Sequence, residues 1–199
     1  MTEILGPLVT FAVATSITPG PNNIMLTASG ANFGFRRTLP HLLGVAIGFT
    51  IMVLAIGLGL SQIFERLPVI HQVLRYGGAA YLLYLAYRIA TTTPTTPGAA
   101  QPVGRPLNFL QAALFQWVNS KGWMMAVGAI STYTTAGGDL MLESVLIALI
   151  FGAIGLPSAA LWAALGVAIG RLLQARWALR AFNIAMALLL VASLALMFV

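Results

Sequence analysis

The chain has 199 residues, of which 59% are hydrophobic and only 7% are charged, and its formal net charge is +6. A soluble domain carries about 25% charged residues, so this composition excludes a water-facing globular surface. Long, unbroken apolar runs favour membrane-spanning helices over a barrel, whose strands alternate over short segments. The chain has no cysteine, which excludes disulfides and thiol chemistry.

Six apolar segments follow one another along the chain, and each predicts a transmembrane helix. They cover residues 4–30, 39–62, 69–90, 107–133, 141–169 and 177–199. The first segment lacks the basic start of a signal peptide, so we expect it to be retained as a span. The predicted fold is all-α, and the lipid bilayer is an expected partner of nearly the whole chain.

The arginines predict the orientation. If the N-terminus lies outside, the cytoplasmic side holds Arg36, Arg37, Arg88, Arg105, Arg171, Arg176 and Arg180. The outer side then holds Arg66, Arg75 and all four acids, which are Glu3, Glu65, Asp139 and Glu143. Cytoplasmic loops carry the excess of basic residues, so both termini are predicted to lie outside the cytoplasm. Because these arginines flank membrane spans, the positive charge does not indicate a nucleic-acid partner.

A polar, proline-rich segment divides the spans into two sets of three. Residues 91–106 are predicted to form an irregular cytoplasmic loop between an N-terminal three-helix repeat, residues 1–90, and a C-terminal one, residues 107–199. Three is odd, so the second set enters the membrane from the opposite side, as an inverted repeat requires. Weak sequence symmetry between the second and fifth spans agrees, although apolar helices also produce such matches by chance.

The first span is interrupted by Thr18-Pro19-Gly20-Pro21-Asn22-Asn23. The two prolines remove backbone donors and clash with the preceding turn, while Gly20 permits angles that other residues avoid. We expect the helix to break here and to leave backbone groups unpaired at membrane depth. The amide end of the restarting helix would hold a carboxylate. A simple kink that serves packing is the alternative interpretation.

The fourth span carries a matching polar stretch with Gln116, Asn119, Ser120 and Lys121. Lys121 is the only charged residue far from a span end, and such a placement costs about 2.5–3.5 kcal/mol on insertion scales. We expect its ammonium to attract a substrate carboxylate or to hold the broken backbone of the first span; snorkelling to the interface is the alternative. In an inverted repeat the two interruptions meet near the midplane, where transporters bind substrate.

The remaining polar residues indicate no other chemistry. His41 and His71 lie near span ends without a neighbouring acid, so we expect no metal site, no catalytic residues, no cofactor and no enzyme activity. The spacing of Gly44 and Gly48 predicts a close helix contact.

These motifs resemble the lysine exporter (LysE/RhtB) family of amino-acid efflux proteins over essentially the whole chain. Residues 18–22 are similar to its first-helix signature, which a basic loop follows at Arg36-Arg37. Residues 74–85 are similar to its third-helix pattern, and Asn119-Ser120-Lys121 to its Asn-Pro-Lys motif. The resemblance implies efflux of amino acids or related metabolites across the bacterial cytoplasmic membrane, driven by a proton or ion gradient.

Two positions depart from the family pattern. Ser120 replaces the usual proline, so we expect a less broken fourth helix. Phe49 and Thr50 stand where many members carry an acid, and no carboxylate lies deep in any span, so the coupling ion and the proton carrier are left open. The preferred hypothesis is alternating-access export of a zwitterionic or cationic amino acid bound by the asparagines and Lys121. A cationic substrate is less favoured, because Lys121 repels it and no buried acid compensates. A passive channel or facilitator for a small neutral solute is the alternative, and the identity of the amino acid and assembly into a homo-oligomer are left open.

Overall fold

A computed structural model describes residues 2–60, 68–92, 104–135 and 137–198, and every regular element in these ranges is helical. The α-helices are α1 Thr2–Ile17, α2 Pro21–Phe33, α3 Phe35–Ala55, α4 Pro68–Ala90, α5 Phe109–Phe115, α6 Ser120–Tyr133, α7 Leu140–Leu172, α8 Arg176–Ala192 and α9 Ala195–Phe198. A π-helical turn, Ile56–Leu60, extends α3, and a 3-10 turn, Gln116–Val118, follows α5.

Helix length and composition identify a membrane protein. Phe35–Leu60 and α7 are each long and apolar enough to cross a bilayer, and the bent pair α1 and α2 forms a third span if it is counted as one. With 33 residues, α7 is about 50 Å long, more than the bilayer core of about 30 Å. The all-helical membrane fold predicted from composition is confirmed. The outer loop with Glu65 and Arg66, and most of the linker at 91–106, lie outside the described residues.

The exposed surface of the helices suits lipid. Large apolar side chains recur every fourth residue and form an exposed stripe on α1 and another on α3, made of Leu5, Val9, Val13, Ile17, Leu39, Leu43, Ile47 and Ile51. Several interior positions that are fully buried hold alanine, namely Ala12, Ala112, Ala126, Ala129 and Ala163. Small residues inside and large ones outside are typical of helices that pack closely within a membrane.

A single residue, Gly34, joins α2 to α3. Its φ of 77° lies in the left-handed region that favours glycine, and its amide donates to the Gly30 carbonyl at 3.0 Å. This corner explains why α3 begins at Phe35, four residues before the predicted start of the second span. The sequence-based expectation of a loop there was wrong because one glycine is enough to reverse the chain.

Glycines bring α2 and α7 into backbone contact. A Cβ on Gly30 would lie 2.1 Å from the Ala163 carbonyl oxygen, and a Cβ on Gly166 would lie 2.0 Å from that of Thr27. Both distances are far below any van der Waals contact, so neither position admits a side chain. These two helices are therefore packed along their backbones.

The predicted contact at Gly44 and Gly48 is confirmed. A Cβ on Gly44 would lie 2.3 Å from the Phe109 carbonyl oxygen, and one on Gly48 would lie 2.6 Å from the Ala113 Cα. The partner of this α3 face is thus α5, the first part of the interrupted fourth span.

We expect Gly166→Ala to destabilise the fold by about 1–3 kcal/mol, the usual cost of overpacking a tight interior. Gly155→Ala in the same helix is the matched control, because nothing lies within 4 Å of its added Cβ. Alanine also favours a helix over glycine by about 1 kcal/mol, so the control should unfold no more easily than the parent. Thermal unfolding of the purified variants in detergent measures both effects, and equal midpoints would contradict the packing described.

Candidate functional site

The first span is broken at the predicted place. Helix α1 ends at Ile17, residues 18–20 are not helical, and α2 restarts with Pro21 at an angle of 52° to α1. The backbone of Gly20 is extended, with φ −168°, which any residue adopts. Conformational freedom is therefore the wrong reason for this glycine. A Cβ there would lie 2.7 Å from Cδ of Lys121, so Gly20 makes room for the lysine stem.

Side chains satisfy the carbonyls that the break exposes. Asn23, which is buried, donates from Nδ2 to the carbonyls of Ser16 and Thr18, both at 2.9 Å. Ser158 of α7 donates from Oγ to the same Ser16 carbonyl at 3.0 Å. A carbonyl left unpaired in lipid costs several kcal/mol, so these contacts allow the chain to remain non-helical here.

Lys121 holds the broken end of α1. Its Nζ donates to the Thr18 carbonyl at 2.7 Å and to the Thr18 hydroxyl at 3.1 Å. A cation is favourable at the C-terminal end of a helix, where unpaired carbonyls carry partial negative charge. Of the roles expected for this lysine, the structure shows the one that supports the broken backbone. The ammonium is directed into the break, unlike a snorkelling side chain.

The fourth span is also interrupted, although Ser120 replaces proline. Asn119 has an extended backbone, with φ −87° and ψ 99°, between the 3-10 turn and α6. The Trp123 indole donates to the Trp117 carbonyl at 2.9 Å and so satisfies a group that the break frees. The interruption is therefore present without a proline, and a side-chain hydrogen bond helps to maintain it.

The two interruptions are in direct contact. The Asn22 amide donates to Gln116 Oε1 at 2.8 Å, and Gln116 donates back to Asn22 Oδ1 at 3.2 Å. Gln116 is fully buried and also donates to the Ala112 carbonyl at 2.9 Å. Two residues that are 94 positions apart in sequence therefore form a reciprocal amide pair between the spans.

A cavity of about 60 Å³ lies at this junction and is called here the break-site cavity. Of the ten residues predicted for the site, the lining includes Gly20, Pro21, Asn22, Asn23, Asn119 and Lys121. The other four, Thr18, Pro19, Gln116 and Ser120, adjoin it without lining it. Thr18 and Gln116 support its walls through the hydrogen bonds already described.

The break-site cavity has a positive and hydrogen-bonding character. Both α2 and α6 begin beside it without a side-chain cap, and the amide end of a helix carries partial positive charge. Asn119 is buried, and its Oδ1 has no hydrogen-bond partner among the described residues. Asp139 and Glu143 lie near the start of α7, and Glu143 precedes the cavity residue Ser158 by about 22 Å of helix.

Sequence reasoning missed the apolar wall of this cavity. Phe49 and Phe151 line it and meet edge to face, with ring centroids 5.5 Å apart. Phe151 carries no signal that separates it from other apolar residues in its span. Ser158 was also missed, although it carries a signal in the sequence, since it is a polar residue beside Pro157 in an otherwise apolar segment. Within the described residues, no group of three or more His, Cys, Asp or Glu could hold a metal ion.

Comparisons with known proteins identify the family. The LysE type translocator model matches residues 13–199. Cysteine/O-acetylserine efflux proteins of Escherichia coli (strain K12), Shigella sonnei (strain Ss046) and Shigella flexneri serotype 5b (strain 8401) are 33% identical over 189 residues, which cover 94% of this chain and 94% of each relative. No solved structure matches the chain.

This match confirms the family resemblance seen in the sequence motifs. Members of the family are transporters and not enzymes. The chain is accordingly a multi-pass membrane protein that exports amino acids or related small metabolites, with a small-molecule substrate and lipid as its partners. The chain belongs to the LysE type translocator family.

Proposed function

We propose that the chain exports a small zwitterionic amino acid by alternating access, with the break-site cavity as the substrate site. The observation that carries this proposal is the meeting of two interrupted helices at one cavity. That cavity holds the uncapped starts of two helices, Lys121 and the Asn119 oxygen, which has no partner among the described residues. Discontinuous helices at corresponding positions mark the substrate sites of secondary transporters. The relatives named above export cysteine and O-acetylserine, both small zwitterions with short polar side chains.

The polar groups fit the two ends of an amino acid. The substrate carboxylate would lie on the first amides of α2, at Asn22 and Asn23, beside the positive charge of Lys121. The substrate ammonium would donate to Asn119 Oδ1, which is buried and has no hydrogen-bond partner within the described residues. Its side chain would face Phe49 and Phe151. A cationic amino acid fits poorly, because Lys121 repels it and no described acid lies nearby.

The size of the cavity requires movement during transport. About 60 Å³ holds a few water molecules, whereas ligand pockets usually measure about 300–1,000 Å³. An amino acid therefore enters only when the half-helices separate. The contacts that must lengthen include the Lys121 bond to Thr18 and the Asn22–Gln116 pair.

The helix packing is accounted for by six spans in two inverted repeats. The proposed repeats are residues 1–90 and 107–199, and the loop 91–106 joins them. Helix α3 packs on α7 and α4 packs on α8, which pairs the second with the fifth span and the third with the sixth. Each interrupted span packs on the second helix of the other repeat, α1 and α2 on α7, and α5 on α3. A two-fold axis between the repeats would generate this set of pairs.

The distribution of charge supports an inner-membrane protein with both termini outside the cytoplasm. The end of α2 lies beside the end of α7, since a Cβ on Gly170 would lie 2.5 Å from the Ala31 carbonyl oxygen. Helix α8 contacts the end of α2 through the Asn32–Asn183 hydrogen bond of 2.7 Å, made two turns after α8 begins. The arginines predicted to be cytoplasmic flank these helix ends, whereas Asp139 and Glu143 flank the opposite end of α7.

Asn119→Ala and Lys121→Met should each weaken uptake into inverted vesicles by about 10-fold to 100-fold in apparent affinity, because a hydrogen bond to a charged group contributes about 1.5–3 kcal/mol. Initial rates with labelled cysteine and O-acetylserine measure the effect. Ser131→Ala in α6 is the control, since this exposed hydroxyl bonds only to its own helix. Unchanged affinity in both site variants would refute the site.

Gradient dependence separates an exporter from a facilitator. In proteoliposomes, a coupled exporter should accumulate the labelled amino acid above its external concentration, and an ionophore that dissipates the ion gradients should abolish the accumulation. Equilibration to equal concentrations, with no effect of the ionophore, would instead establish passive transport.

A double-mutant cycle tests the link between the breaks. Asn22→Ala and Gln116→Ala should show a coupling free energy of about 0.5–1.5 kcal/mol, the net value of a typical hydrogen bond. Unfolding of the single and double variants in detergent measures it. The control cycle combines Asn22→Ala with Ser131→Ala. These sites are distant, so their effects on the free energy of unfolding should add within about 0.5 kcal/mol. A coupling no larger than that of the control would contradict the reciprocal pair.

Because the chain has no cysteine, single cysteines report the orientation directly. Thr135 and Gln174 are exposed at opposite ends of α7 and provide a matched pair. In right-side-out vesicles, a membrane-impermeant maleimide should label Thr135→Cys at once and Gln174→Cys only after permeabilisation, as the arginine distribution predicts. The reverse pattern would place both termini in the cytoplasm.

A further inference from the structure

A second cavity, of about 240 Å³, lies between the second half of α2, the start of α3, the end of α4 and residues 104–107. It is called here the loop-side cavity, and the polar residues in its wall include Ser29, Asn32, His41 and Arg88. It is larger than the break-site cavity, and the function proposed above uses none of these side chains. Its chemistry therefore requires a separate explanation.

His41 is the most unusual group in this wall. Its side chain is 1% exposed, and neither ring nitrogen has a hydrogen-bond partner among the described residues. Buried polar atoms without partners are rare and cost about 1–3 kcal/mol each. An imidazole that lines a cavity and lacks partners in the described part of the chain can be satisfied by a polar solute in that cavity.

Arg88 supplies a positive group to the same cavity. Its Nη2 donates to the Arg105 carbonyl at 2.9 Å, which fixes one corner of the guanidinium. The remaining donors of its planar fork match a carboxylate. Within the described part of the chain Arg88 has no acidic partner, because Asp139 and Glu143 lie at the far end of α7.

Hydrogen bonds make the wall of this cavity rigid. Asn32 and Asn183 exchange amide hydrogen bonds of 2.7 and 3.0 Å, and Asn183 also donates to the Thr92 carbonyl at 3.4 Å. These contacts tie α2 and α8 to Thr92, which lies two residues after the end of α4. A cavity with a fixed polar wall is suited to bind a specific small molecule.

The loop-side cavity is in line with the break-site cavity. On α3, His41 lines the former and Val45 the latter, and on α2 the corresponding residues are Met25 and Asn22. Residues three or four apart lie on one helix face, about 5–6 Å from each other. One helical turn therefore separates the cavities, and the buried side chains of Met25 and Val45 stand at that point.

We propose that the loop-side cavity is a second binding site for the exported amino acid, occupied on the arginine-rich side before the substrate reaches the break site. Arg88 binds the carboxylate of the solute, and the His41 ring exchanges hydrogen bonds with its ammonium and its short polar side chain. The assignment rests on the export function proposed above, and the two sites would form a path along the groove between α2 and α3.

Binding of labelled O-acetylserine to the purified protein in lipid nanodiscs tests the assignment. In the Asn119→Ala background, where the break site is weakened, Arg88→Ala should reduce the remaining affinity at least 10-fold, roughly the loss of one charged hydrogen-bond partner. Arg171→Ala is the matched control, an exposed arginine at the same end that does not line the cavity. The analogue of O-acetylserine that lacks the carboxylate should compete poorly for the parent protein. Its affinity should be the same for the Arg88→Ala and Arg171→Ala variants.

Equal affinity in the Arg88→Ala and Arg171→Ala variants would overturn the second site. The proposed function fails in a different way, through normal transport by Asn119→Ala and Lys121→Met.

Cysteine protection gives an independent readout that needs no loss of charge. A thiol reagent should modify Ala28→Cys in the loop-side cavity about 5-fold more slowly with O-acetylserine present, as expected if bound solute occupies most sites. The exposed Gln174→Cys should react at one rate throughout, and lack of protection at Ala28→Cys would also refute the site.

Discussion

The fold depends on satisfying an interrupted backbone inside a membrane. Two prolines end α1 at the break, and the freed carbonyls would be prohibitively unstable in lipid without partners. Their partners come from outside the first span as well as from within it, with Lys121 and Ser158 from the second half of the chain and Asn23 from α2. The broken helix is therefore stable only when both halves are assembled.

This arrangement also fits the zwitterionic substrate proposed above. The break-site cavity presents two uncapped helix starts and a lysine, and no described acid accompanies them. A zwitterion would suit this positive site, because its carboxylate would meet the amides while its ammonium would donate to the Asn119 oxygen. Arg88 supplies a positive charge at the loop-side cavity as well. A solute moving between the two cavities would therefore have a partner for its carboxylate in each.

Local rules predicted much of the site. Pro-Gly-Pro located the first break, and the cost of a buried charge singled out Lys121. Those rules concern single residues and their neighbours in sequence, and they cannot assign partners across 94 positions, such as Gln116 to Asn22. The Gly34 corner, the Phe49–Phe151 wall and the unpartnered His41 depend on three-dimensional packing. Gly20 was selected for the wrong reason, because the atom it accommodates belongs to a distant helix.

The close packing of α2 limits how the protein can move. Backbone contact at Gly30 and Gly166 fastens α2 to α7, and the one-residue corner at Gly34 fastens it to α3. We therefore expect these three helices to move as one unit, because their close contacts prevent them from sliding past one another. Helix α5 belongs to the same unit, because its backbone contacts α3 at Gly44 and Gly48. The movement proposed for transport would therefore fall to α1, which ends at the first break, and to the 3-10 turn Gln116–Val118, which ends at the second.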